Sequence, residues 1–411
     1  MEDGARDPQM ASPDDSPGSS PPNPSFRITT PHENFRRTTS TKAPSFADIF
    51  PLTFSPPRRS LQALPASPIA SPLPHRFSSS STSAAASYRC ISSFLKKDGQ
   101  ILSLAVSGDL IYTGSERNVI RVRKLPALVE CGRLKTKASM AVALAVSGDR
   151  VCAAFSDLKI RVWRRVRDGS WKHVRLGTAK HLGPITSLAI NAAGDILYSA
   201  SVDRTVKVWC VSDFRCIETF HAHPDSVNAL LVAHHDGALF TASDDATVRV
   251  WRRDLCGGSR PHSLTVTLPA KYSPVKSLAL SPDGNVLYGG CSDGYVHFWH
   301  KGWLTGQLQY GGCLQGHTHA VLCMATAGNS LVTGSADSTS RVWARGQDGQ
   351  HRCLAVLMGH KGPIRCVAAY REGMTPSASG DDHDHEDGGP MICTGSLDGV
   401  LKLWKATRLV A

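Results

Sequence analysis

The chain has 411 residues, a formal charge of +12 and 12 cysteines, no two of which stand in a CxxC pair. It opens without a secretory apolar segment and contains no run of 18 apolar residues. A disulfide scaffold and a membrane span are therefore excluded, and free thiols in a reducing compartment are expected. The charge is uneven: residues 1–87 hold eight Lys/Arg against seven Asp/Glu, so nearly all the positive balance falls on the remainder.

Residues 1–87 carry 15 of the 25 prolines and a Ser-rich run from Ser78 to Ser83. Such a composition cannot bury enough apolar surface to offset its ordering entropy, so a disordered tail is expected. Within it stand the apolar stretch PSFADIFPLTF (Pro44 to Phe54) and Ser-Pro pairs at Ser12, Ser16, Ser20, Ser55, Ser67 and Ser71. Arg36-Arg37-Thr38-Thr39 and Arg58-Arg59-Ser60 set cations beside hydroxyls, where phosphorylation would add close to two negative charges. A transit peptide is disfavoured by three acids within MEDGARD.

After residue 88 one ending recurs seven times: YTGSERNVIRVR to Arg123, AAFSDLKIRVW to Trp163, YSASVDRTVKVW to Trp209, FTASDDATVRVW to Trp251, YGGCSDGYVHFW to Trp299, VTGSADSTSRVW to Trp343 and CTGSLDGVLKLW to Trp404. A period near 40 residues marks a repeat architecture. Each unit begins with an alternating apolar strand such as ITSLAI, VNALLV or VKSLAL, then a Gly/Asp turn, a second strand such as LYSAS, and the strand ending at Trp. A fourth strand is read in RCIETF, GGCLQG and RCLAVL. Four strands per unit make a propeller blade, so the fold class is all-β, a seven-bladed β-propeller over residues 88–408 behind the 1–87 tail.

Only KATRLVA follows Trp404, too little for a fourth strand in the last blade. RCISSF at residues 89–94 matches RCIETF at 215–220, and the expectation is that 89–94 joins the last blade and closes the ring.

The repeats resemble the WD-repeat family: a His after the fourth strand, an Asp six residues before the Trp, and a Ser two before the Asp. In that family the Asp accepts from the His, which joins a Ser and the Trp indole in a buried chain. The resemblance gives four full sets: His181, Ser201, Asp203, Trp209; His223, Ser243, Asp245, Trp251; His317, Ser335, Asp337, Trp343; and His360, Ser396, Asp398, Trp404. A His–Asp–Ser trio invites a hydrolase reading, but one active site needs only one triad, so the repetition points to scaffolding and no catalytic residue is assigned. The first blade departs at Arg117 and Arg123; the second lacks the His and has Phe155 for Ser; the fifth has Tyr272 for His and Cys291 for Ser. Blades one and two are expected to be the weaker part of the ring.

Longer stretches, ECGRLKTKASMAVALAVS, PHSLTVTLPAKYSPVKSLALS and LYGGCSDGYVHFWHKGW among them, resemble the plant WD-repeat proteins of the Jingubang type. This implies a non-enzymatic regulatory protein of the cytoplasm and nucleus that works through protein contacts, a monomeric propeller within complexes and without a cofactor. The family also implies a binding face at the loop before each first strand and the turn between second and third strands. Those segments hold Lys97, Lys137, Lys180, Lys271 and Lys361, with Arg117 and Arg204, which reads either as a docking surface for an acidic or phosphorylated segment or as a solvated rim. A further cation two residues before the terminal position (Arg121, Arg161, Lys207, Arg249, Arg341, Lys402, with His297 in blade five) reads as a stem covering apolar surface.

The last blade carries an insertion, residues 371–390, with Asp381, Asp382, His383, Asp384, His385, Glu386 and Asp387. It reads as an acidic loop and not as a metal site, since a Gly-rich loop offers no rigid support for ligands. Cys313, His317, His319 and Cys323 read as core residues, because His317 is already committed to its blade. Nucleic acid is not an expected partner, since aromatic stacking platforms are not evident along these loops. A ubiquitin-ligase substrate receptor is the alternative within binding proteins, though no Trp here begins a WDxR ending. An enzyme-associated subunit or a nucleic-acid-contacting propeller is the alternative from another class.

Overall fold

The computed structural model describes residues 87–94, 99–136, 139–166, 169–174, 180–253, 262–270, 273–302, 305–370 and 390–407. The tail 1–86, the acidic insertion 371–389, and Lys97, Lys137, Lys271 and Tyr272 lie outside the described residues. What is described is all strand: seven antiparallel four-stranded sheets, each in sequential order except the last. No helix of the described residues is long and apolar enough to cross a membrane.

Each sheet is one blade. Blade three shows the plan: Ile185–Ile190 innermost, then Ile196–Ser201, Thr205–Cys210 and, outermost, Cys216–His221. Burial peaks in the second strand, which is buried throughout, while the innermost is part-buried and the fourth alternates between half-buried and exposed. This explains why ILYSAS is small and apolar whereas CIETFH alternates. The innermost strands neighbour one another in order around the ring, and Ile364–Tyr370 of blade seven returns to Ile101–Ser107 of blade one.

The inner strands share a device that joins blade to blade. Each is bulged directly after its first residue, as at Ile185/Ser187, Val227/Ala229 and Val275/Ser277. The bulge takes that residue's carbonyl out of the ladder, and at several junctions a side chain of the preceding blade satisfies it. Ser103 Oγ donates to the Ala141 carbonyl at 2.9 Å, Asn228 Nδ2 to Val275 at 2.9 Å and Ser277 Oγ to Val321 at 3.0 Å. A freed buried carbonyl thereby becomes a girdle of inter-blade bonds.

In blade seven, Ser87–Phe94 pairs antiparallel with Leu401–Thr407, from Ser87 opposite Thr407 to Phe94 opposite Leu401. The first and last strands of the described residues thus share one sheet. Tyr88 and Cys90 pack against Val332, Val342, Leu357, Ile392 and Trp404, a cluster spanning blades six and seven. On the other side of the seam, Ile101 and Ile111 of blade one share a core with Cys393, Leu401 and Leu403 of blade seven.

Candidate functional site

In blade three, His181 sits in the loop before the inner strand and Asp203 in the turn between second and third strands. The His181 imidazole Nδ1 lies 2.9 Å from Asp203 Oδ2 and its Nε2 lies 2.7 Å from the Ser199 hydroxyl, which also receives the Trp209 indole N–H at 2.9 Å. An indole can only donate, so the hydroxyl accepts it and passes its own proton toward Nε2, leaving Nδ1–H to donate to the carboxylate. The same chain runs through His223, Asp245, Thr241 and Trp251; His317, Asp337, Thr333 and Trp343; and His360, Asp398, Thr394 and Trp404.

The linking hydroxyl differs from the one expected. Ser201, Ser243, Ser335 and Ser396 do not join His to Trp; Ser199, Thr241, Thr333 and Thr394, two residues earlier, do. Register supplies the reason. Ser199 pairs with Lys207, diagonal to Trp209 on the same face, whereas the ladder of these two strands ends at Ala200 opposite Val206 and leaves Ser201 beyond it. Ser201 instead accepts the Asp203 backbone N–H at 3.1 Å and donates to the Gly183 carbonyl at 3.0 Å, clipping the turn to the neighbouring loop. Ser335 and Ser396 do likewise with the His319 and Gly362 carbonyls.

Burial pushes each of these carboxyls up, but hydrogen bonds outweigh it: His181 and Thr205 hold Asp203 well below the ordinary range, and His317 and Thr339 do the same for Asp337. Burial lowers His223 and His360, and their Asp partners reverse this only in part. The linking hydroxyls are fully buried, and each is already engaged by an indole. The four sets hold loop to turn and turn to strand; none presents a nucleophile to a substrate.

The departing blades substitute other chemistry. In blade one Arg123 stands at the Trp position and donates to Thr113 at 2.9 Å, Thr113 being the counterpart of Ser199. In blade two Asp157 takes Arg161 in place of His, with a two-pronged pair at 2.5 and 3.1 Å, and Arg161 also lies 4.5 Å from the Phe155 ring centre. In blade five Trp299 packs directly over Gly289, where a β-carbon would come within 3.2 Å of the indole.

The second strands also hold contacts that pattern reading did not single out. Tyr112, Tyr198 and Tyr288 each meet, edge to face, the first residue of the next blade's outer strand: Trp171, His262 and His351. His262 is further held by Glu218 at 2.5 Å, a buried pair across blades three and four. A Tyr recurring three residues into the second strand was the available signal.

Because every blade is an antiparallel meander, the loop entering the inner strand and the turn between second and third strands lie at the same end of the sheet. Lys180 and Lys361 in such loops, and Arg117 and Arg204 in such turns, are exposed there. Their side chains point from fixed backbone. Lys361 N donates to Asp398 Oδ2 at 2.8 Å, and Arg204, at φ 70°, donates its N–H to the Ser201 carbonyl. Apolar side chains share this end, Leu182 at 93% exposure foremost, with Val202 and Tyr295. Of the second cation series, Arg121 pairs with Glu130 at 2.5 Å, Arg249 donates to the Ala222 carbonyl at 2.9 Å, Lys207 reaches Thr219 at 3.0 Å, and Lys402 lies 5.7 Å from the Trp404 ring centre.

Among the described residues no group of three His, Cys, Asp or Glu is placed to hold a metal ion. Cys313 and Cys323 lie on strands of blades five and six, and Cys323 donates toward the Ile364 carbonyl.

The sequence pattern of the WD domain, G-beta repeat, matches residues 174–210, 214–252, 262–300, 308–344 and 351–405, together half of the chain. These stretches take in blades three to seven and leave out blade one, with Arg123 at the Trp position, and blade two, which lacks the His. Among curated proteins, the chain is 30% identical over 176 residues to a guanine nucleotide-binding protein subunit beta of Zea mays, covering 40% of this chain and 44% of that one. It is 30% identical over 172 residues to the target of rapamycin complex subunit wat1 of Schizosaccharomyces pombe, covering 40% and 52%. It is 27% identical over 267 residues to the DENN domain and WD repeat-containing protein SCD1 of Arabidopsis thaliana, covering 64% and 20%. The chain thus spans about half or less of the length of these relatives. With the pattern matched over half its length and seven four-stranded blades closed in a ring, the chain belongs to the WD40-repeat family.

Proposed function

We propose that this protein is a non-enzymatic interaction scaffold, a regulatory adaptor of a plant cell acting in cytoplasm and nucleus. It docks partner proteins on the end of the propeller that carries Lys180, Lys361, Arg117 and Arg204. The observation that carries this reading is an exposed set of cations held on hydrogen-bonded loops and turns, beside Leu182 standing almost wholly in solvent. A fixed mixture of charge and apolar surface is what a protein partner can use. Relatives described as a G-protein β subunit and a target of rapamycin complex subunit, proteins whose names place them in assemblies, agree with it.

The test is affinity capture with intact protein and with charge reversal at Lys97, Lys137, Lys180, Lys271 and Lys361. Loss of the captured partners is expected, and an unchanged partner set refutes this face. The reading as a ligase substrate receptor has no specific observation in its favour.

A further inference from the structure

Several surface guanidiniums here have a carboxylate: Arg121 with Glu130, Arg161 with Asp157, Arg164 with Asp149, Arg252 with Asp236 and Arg345 with Asp283. Arg249 and Arg204 have none among the described residues. They line one groove between blades three and four, together with Val202, Asp203, His221, His223 and Pro224. Ala222 connects them: its N–H donates to the Arg204 carbonyl at 3.0 Å and its own carbonyl accepts Arg249 Nη1 at 2.9 Å. Arg249 is half-buried, and its Nε is shut from solvent with no hydrogen-bond partner. A partly desolvated charge without a counter-ion is costly to the free protein, and an incoming anion relieves that cost.

We propose that this groove is a phosphoryl-binding subsite, which receives a phosphorylated Ser or Thr of an extended partner segment while Leu182 and Val202 take an apolar residue of the same segment. Two guanidiniums match the charge of a phosphate dianion; Arg204 offers its oxygens a fork of donors, and Arg249 the Nη2 group left over from its bond to Ala222. Asp203 also lines the groove, but its oxygens are occupied: Oδ2 by His181 and the Leu182 N–H, Oδ1 by Thr205 N and Oγ1. Leu182 adjoins the groove through that bond from its N–H to Asp203, at 2.9 Å, and its 93% exposure leaves it free to contact a ligand. The proposal rests on the reading of this end as the protein-binding face and narrows it to one groove and one ligand chemistry.

The experiment presents the full chain with degenerate peptide pools centred on phosphoserine or phosphothreonine, on unmodified Ser or Thr, and on Glu. The phosphorylated pools are expected to be retained about tenfold over the others, with apolar residues enriched at flanking positions. Arg249→Gln and Arg204→Gln should each abolish that preference, and Leu182→Asn should remove the apolar enrichment while keeping it. Arg204 is exposed, so its variant keeps the test decisive should Arg249→Gln disturb folding. Equal retention of Glu and phosphorylated pools, or a preference that survives both arginine changes, overturns the proposal. If no pool is preferred while lysine charge reversal still strips partners in capture, this subsite falls and the interface reading stands.

Discussion

Removing residues 1–95 takes away the whole of Ser87–Phe94, whereas removing 1–80 leaves it in place. The longer deletion leaves Leu401–Thr407 as an unpaired edge and uncovers Trp404 and its neighbours, against which Tyr88 and Cys90 pack. The ladder's hydrogen bonds, each about 1 kcal/mol net, are roughly cancelled by the ordering entropy of the eight-residue strand, about 1–2 kcal/mol per residue. What remains is apolar cover, about 1.5–3 kcal/mol for each large side chain buried. With Tyr88 and Trp404 both affected, the loss is about 3–6 kcal/mol. For a ring of this size that lowers the melting temperature by roughly 5–9 °C. Differential scanning fluorimetry and limited proteolysis of the two truncations check it: the 1–80 deletion should melt with the intact chain, the 1–95 deletion below it. Equal melting temperatures would refute the role of the strand in closure.

Thr333→Val strips the common partner from Trp343 Nε1 and His317 Nε2 and should cost about 2–4 kcal/mol in urea unfolding, while Thr333→Ser should cost little. Ala246, at φ 61° in the turn after Asp245, occupies the left-handed region, so Ala246→Gly should stabilise by up to about 1 kcal/mol in the same assay. Arg123→Ala should destabilise by about 1–2 kcal/mol through loss of its bond to Thr113. Acid should weaken the ring in two stages. His223 and His360 titrate below their ordinary 6.5 when folded, so the unfolded chain takes up protons first and stability falls as pH drops below that value. The depressed Asp203, Asp245, Asp337 and Asp398 add a second loss as pH falls below 3.8. Melting temperatures from pH 8 to pH 3 check this, and a curve flat across both windows contradicts it.

Blade count could be read from the sequence because each ending combines a period-two apolar strand, a polar turn and an aromatic at fixed spacing. The likeness of RCISSF to RCIETF carries the position of the strand Ser87–Phe94, since both supply the outer strand beside a terminal Trp. The linking hydroxyl was misplaced because YSAS offers two hydroxyls, Ser199 and Ser201, on the same face of one strand. Only the pairing register decides between them. The repairs in blades one and two were invisible for a related reason: Arg123 reaching Thr113 and Arg161 reaching Asp157 depend on side-chain direction, which the repeat pattern does not encode. The groove at Arg249 was likewise hidden. Its cation looks like its counterparts at Arg121 and Arg161 until their carboxylate partners are seen beside them.

The central claim is that partners bind at one end of the propeller. Lysine footprinting of a native complex captured with this chain tests it most directly, because exposed lysines mark both ends. Lys180 and Lys361 lie at the proposed face, and Lys124, Lys172 and Lys301 lie at the opposite end, where third strands finish and outer strands begin. Protection from acetylation at Lys180 and Lys361, with Lys124, Lys172 and Lys301 unchanged on partner binding, is the predicted result. Protection confined to Lys124, Lys172 and Lys301 would contradict it.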